Sequence, residues 1–291
     1  GNSSYGIAME GAASSATVQS NFLGTNLAGD AALGNGFNGI STNGGSGLVV
    51  GGTGAGEGNV ASGNGQDGVL VNGPSALVAG NIMGATSAGD AAIPNGSAGL
   101  RLQSVTNALI WNNVLSGNSG DGLDIFVSSN VQAKGNRIGV AQDGVTPLGN
   151  LGHGVHVGTG TPNDIGGPAA GDGNTIAFNG GAGVEVDGQS ALTQAAIRGD
   201  SIHDNPFSGI DNVNGGNTEL APPLITDLGS LHGTACPNCL VDVYSDDDDE
   251  GRIYEGTTTA AGSGDWTFNG SLTGPFVTAT ATAATGITSE F

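Results

Sequence analysis

Five titratable residues recur in one local setting: Leu100-Arg101-Leu102, Leu123-Asp124-Ile125, Val155-His156-Val157, Val184-Glu185-Val186 and Ile210-Asp211-Asn212. Brought together, they could do acid/base work. Asp124 and Glu185 would supply a carboxylate pair of the kind that cleaves glycosidic bonds. His156 would act as base or hold a tautomer, and Arg101 would grip a carboxylate through two parallel hydrogen bonds. Asp121 and His153 would thicken the cluster. The chemistry requires a fold that sets residues 23 to 32 positions apart side by side.

Such a fold is written in the spacing. Asn, three residues, Gly and an aliphatic residue recur at Asn2, Asn35, Asn64, Asn95, Asn118, Asn150, Asn179 and Asn205. After each Gly, apolar residues mostly alternate with others, the period of a strand with one buried face. A second series runs through Asn21, Asn59, Asn81, Asn113, Asn136 and Asn174, with Asp200 in its last place. The offset between the two series alternates between 14 and 5 residues, because similar insertions begin at Gly24, Gly84 and Gly139 in alternate coils. A coil of about 23 residues cannot bury its inward side chains alone, so stacked neighbours must close the core. Asn is expected at the bends for its tolerance of left-handed φ and for amide hydrogen bonds from coil to coil. Gly is expected in tight turns and at positive φ. These features predict an all-β chain whose residues 1–218 form a parallel β-helix of about seven to eight coils.

Composition narrows the function. The 291 residues include 57 Gly and only 4% aromatics, yet 37% are hydrophobic, enough to bury. With 26 acidic residues against 5 basic ones, a net charge of -21 would repel a phosphate backbone. This excludes nucleic acid as a partner. No stretch approaches the roughly 20 apolar residues of a membrane span.

Residues 1 to about 215 resemble the right-handed parallel β-helix repeat proteins, through Asn-x-x-x-Gly-[Ile/Leu/Val] together with Asp164-Ile-Gly-Gly167, Gly58-Asn-Val60 and Gly173-Asn-Thr-Ile176. The resemblance implies the fold and leaves the activity open, since such proteins include lyases, glycosidases, epimerases, tailspikes and adhesins. In the enzymes, polysaccharides are bound and cut on the outer face of the sheet that would carry Arg101, Asp124, His156, Glu185 and Asp211. No lyase, glycosidase or epimerase motif is present residue for residue, and aromatic platforms are scarce, Trp111 and the expected core residue Phe126 being nearest. Opposite charges on adjacent strands are also ordinary cross-strand pairs.

Ala221-Pro-Pro-Leu224 breaks the pattern and reads as a linker. Beyond it, segments around 239–244, 252–254, 265–268 and 276–282 read as strands, so residues 219–291 are expected to form a small β-sandwich, similar to bacterial Ig-like modules. Asp246, Asp248 and Glu250, followed by Gly251, partly match a calcium loop, although Thr257 stands where a bidentate Glu is expected and strands flank it. The other reading is a solvated hairpin tip whose charges discourage edge pairing. Cys236 and Cys239 admit a redox pair, half a zinc site or a disulfide. The lack of a second pair and of a βαβ context favours the disulfide, and with it an oxidising compartment.

The regular repeat and the lack of a capping helix before Asn2 favour architecture over catalysis. The expectation is an extracellular bacterial surface rod that self-associates head-to-tail through open coil ends, as a filament or part of a longer adhesive protein. The competing expectation is a polysaccharide-active enzyme or glycan-binding module using Arg101, Asp124, His156, Glu185 and Asp211.

Overall fold

The structure, a computed structural model, describes residues 1–11, 15–189, 192–247 and 250–291. Three parallel sheets of eight, seven and seven strands wind together as a parallel β-helix, each coil giving one strand to each sheet. In the first sheet Leu100, Leu123, Val155 and Val184 share one register line and Leu102, Ile125, Val157 and Val186 another. All eight are buried, so the residue between each pair points outward.

Both Asn series stack. In the first, the Nδ2 of Asn35, Asn64, Asn95, Asn118, Asn150 and Asn179 donates to the Oδ1 of the next member at 2.8–3.1 Å. In the second, Asn21, Asn59, Asn81, Asn113, Asn136 and Asn174 do the same at 2.8–3.0 Å, ending on Asp200. The ladder Asn residues all have negative φ, contrary to one expected reason for their use. Their amides alone account for them. Many Gly do take the expected positive φ, among them Gly24, Gly84 and Gly139 at the start of the insertions, but the motif Gly residues do not. A Cβ at Gly39, Gly68, Gly122, Gly154 or Gly183 would lie 2.5–2.7 Å from the carbonyl oxygen of the next motif Gly. Close approach of backbones, not turn geometry, selects Gly there.

The three insertions fold back as hairpins, with antiparallel bridges Thr25–Ala32, Ala85–Ala92 and Val140–Pro147. They stack on each other, Ser87 N–H donating to the Gly29 carbonyl and Gln142 N–H to that of Gly89, both at 2.8 Å. A hairpin has two chain passes and fills the height of two coils, which explains its appearance in alternate coils.

The last coil is covered. Residues beyond 223 form two three-stranded antiparallel sheets, Leu224–Asp227, His232–Thr234 and Asp265–Thr267 in one, Ile253–Thr259, Leu240–Asp246 and Phe276–Thr282 in the other. The first two strands of the former were not legible as strands. Trp266, Val241, Val243 and Ala279 lie in the core between the sheets. The chain then returns to the β-helix. Thr288 accepts from Ile197 N–H at 2.9 Å through Oγ1, and its carbonyl accepts from Asn212 and Asn217. Phe291 packs against the β-helix core. The expectation of open ends is therefore corrected at this end, where the tail occupies the place of a further coil. Arg198 clamps buried Asp242 at 2.7 and 2.8 Å, and Gly199 N–H donates to Tyr244 Oη at 3.0 Å, so the segment read as a linker joins two docked units.

Asn113→Ala would strip the acceptor from the Asn81 amides and the donor to the Val78 carbonyl. Buried groups left unpaired cost about 1–3 kcal/mol each, so urea unfolding is expected to show a loss of at least about 3 kcal/mol. Gln142→Ala on an exposed hairpin is expected to stay within about 0.5 kcal/mol.

Candidate functional site

The register sets Arg101, Asp124, His156, Glu185 and Asp211 side by side on the outer face of the first sheet, as their spacing predicts. Neighbouring strands then bring each side chain against the one before. Arg101 donates to Asp124 Oδ2 from both Nε and a terminal nitrogen at 2.7 Å. The other Asp124 oxygen faces His156 Nδ1 at 3.0 Å, and His156 Nε2 stands 3.9 Å from Glu185. Asp124, only 4% exposed in its side chain, has both oxygens engaged. Asp211 adjoins Glu185 in register, and no ion pair joins it to a cation among the described residues.

A second polar column runs along the bend before this sheet, and only its Asp121 and His153 were picked out from the sequence. Asn38 Oδ1 accepts from Asp67 N–H, Asp67 from Ala98, Asp121 from His153, and His153 Nδ1 from Ala182, at 2.8–3.1 Å. Each caps a backbone donor of the next coil. The signal was available: all four immediately precede a motif Gly. Because His153 Nδ1 accepts, the proton of the neutral ring sits on Nε2, directed at Glu185 3.5 Å away.

Electrostatics follow these contacts. Burial opposes the charge of Asp124, but His156 and Arg101 outweigh it and hold the carboxyl below its ordinary value. Burial likewise opposes the His156 cation, and Asp124, Asp121 and Glu185 outweigh it, raising the imidazole. Asp67 and Asp121 are pushed up, chiefly by burial.

Asp121, Asp124 and His156 bring ligand atoms within 4.8 Å of one another, the one such group among the described residues. The donor set fits a divalent cation poorly. Asp124 is neutralised by Arg101, Asp121 is committed to a backbone N–H, and the His156 nitrogen facing the group is the one paired with Asp124. Aromatic platforms are displaced as well. Trp111 belongs to the second sheet, beside Lys134, and Phe126, expected in the core, is exposed.

The other candidates lie elsewhere. Asp246 is buried, accepts from Asp247 N–H and faces Arg252 Nε at 3.4 Å. Glu250 lies beside the backbone of Asp204 and Asn205, and burial pushes its carboxyl up to about 7. Asp248 lies outside the described residues. Cys236 and Cys239 form a disulfide across a turn, the pairing favoured from the sequence. No protein-family model matches the chain, and no curated protein shows significant similarity to it.

Asp124, held low, contributes stability above the ordinary carboxylate value and loses it as pH falls through its folded value. His156, held high, contributes below the ordinary imidazole value and loses it as pH rises. His156→Ala is expected to cost about 1–3 kcal/mol between roughly pH 4 and 6.5, and clearly less near pH 9, in thermal unfolding. An equal loss at both would contradict the charged pair.

Proposed function

We propose that the protein is a structural and adhesive rod of an extracellular bacterial surface, a β-helix bearing a docked Ig-like sandwich. The supporting observation is the use of its polar groups. The outward residues that could have done chemistry are largely spent on neighbouring coils, Asp124 on Arg101 and His156, Asp121 and His153 on backbone donors. The disulfide and the acidic surface fit an oxidising, aqueous setting. Association through bare coils at both ends is unavailable, since the tail covers the last one. Self-association is instead assigned to the outer edge of Ile7–Glu10, which pairs only with Ile40–Asn43 among the described residues. There a further coil or a second chain would add.

The second reading, a polysaccharide-active enzyme or glycan-binding module, is favoured by one feature, the gathering of Asp121, Asp124 and His156. A screen of acidic polysaccharides separates the two readings. The expected result is no new reducing end or unsaturated product. Turnover abolished by both Asp124→Ala and His156→Ala would replace the structural reading. For association, sedimentation is expected to show a concentration-dependent larger species that a Pro at Ala8 weakens. A monomer at every concentration would remove that part.

A further inference from the structure

In the second ladder each Asn uses its Nδ2 twice. Besides donating to the next member, Asn59, Asn81, Asn113, Asn136 and Asn174 donate to the carbonyls of Val18, Val50, Val78, Ile110 and Ala133 at 2.8–2.9 Å. Those carbonyls belong to residues that follow one another in register along the second sheet, and the next in line is Ile165. The last ladder place is held by Asp200, which has no Nδ2. Its Oδ1 accepts from the Asn174 backbone and side chain at 2.7 and 2.8 Å, as an Asn would. Its Oδ2 is buried with no hydrogen-bond partner.

A carboxylate in that place sets a charged oxygen where the repeat sets a donor toward a carbonyl. A neutral carboxylic acid has one O–H and reproduces the amide's geometry. We propose that Asp200 is a proton-operated latch: as the neutral acid it donates to the Ile165 carbonyl and closes the ladder, and as the anion it loosens the corner that holds the sandwich. The position gives the latch its leverage. Arg198 and Gly199, directly before it, carry the contacts to Asp242 and Tyr244, and Ile202, two residues on, pairs with Gly251 in both directions at 3.0 Å.

The groups facing it are consistent with a retained proton. Burial is the largest influence and Asp242 of the sandwich adds to it, against the Asn174 donors and the nearby Arg198 backbone, so the acid is pushed up to about 7. Arg198 is committed to Asp242, and Tyr244, fully buried, is itself raised well above its ordinary value. Glu250, on the far side of the junction, also rises to about 7, through burial first and then Asp204 and Asp246. For an acid raised in the folded state, the folded chain binds the proton that the unfolded chain has lost. Stability therefore falls as pH rises from the ordinary Asp value to about 7 and is flat above.

Asp200→Asn supplies the donor permanently and keeps the shape, while Glu250→Gln removes the other raised acid and leaves the ladder alone. Hydrogen exchange of the Gly199 and Ile202 amides, corrected for intrinsic rate, reads the junction directly. Between about pH 5.5 and 8 the wild type and Glu250→Gln are expected to lose at least about tenfold protection, one pK unit being tenfold in an equilibrium. Asp200→Asn is expected to keep only the smaller loss that Glu250 contributes, and Asp200→Asn combined with Glu250→Gln to lose none. The infrared band of a protonated carboxylic acid near pH 6 should weaken in Asp200→Asn relative to the wild type. Equal loss of protection in Asp200→Asn and wild type, or an unchanged band, would overturn the latch.

Discussion

The amide of each bend asparagine carries the structure. Its oxygen accepts from the coil before and its nitrogen donates to the coil after, so a buried polar group that would cost free energy alone is satisfied by its own copy. This works only if the copies lie one above another. The same requirement brings the motif Gly backbones so close that no Cβ fits between them. Asn and Gly are thus two consequences of one stacking distance.

That distance also decides what the charged residues do. On an ordinary surface, side chains 23 or 32 positions apart choose their partners freely. Here each outward residue is held about 4.8 Å from its counterpart, and cations interposed between carboxylates offset the repulsion an acidic chain would otherwise meet there. Arg101 and His156 on either side of Asp124 do this. The hairpins obey the same rule at double height, and the C-terminal tail obeys it at the end of the helix, where Thr288 offers the carbonyl and hydroxyl that a further coil would have supplied.

The fold was legible because repetition writes one local rule many times. Asn-x-x-x-Gly-aliphatic fixed the coil, and its spacing fixed which residues share a column, so Arg101, Asp124, His156 and Glu185 could be aligned before any coordinate was known. The reasons for the residues were less legible. Negative φ at the ladder Asn and motif Gly shows that conformational tolerance was not the cause. Asp67 escaped notice because a single capping carboxylate looks like any acidic surface residue. The covering tail, residues 287–291, carries no repeat and was invisible to a search for one. The replacement of Asn by Asp200 could be seen, but its meaning depends on burial and on an oxygen without a partner.

Cross-linking reports on the register of coil upon coil. Leu109 and Gln132 are partners in adjacent strands of the second sheet with outward side chains, and neighbouring parallel strands fall within disulfide reach. Cysteines at 109 and 132 should oxidise readily to an internal bond, whereas cysteines at 109 and 133, on opposite faces, should not. Equal bonding in both pairs, or none at 109 and 132, would contradict the stacked coil.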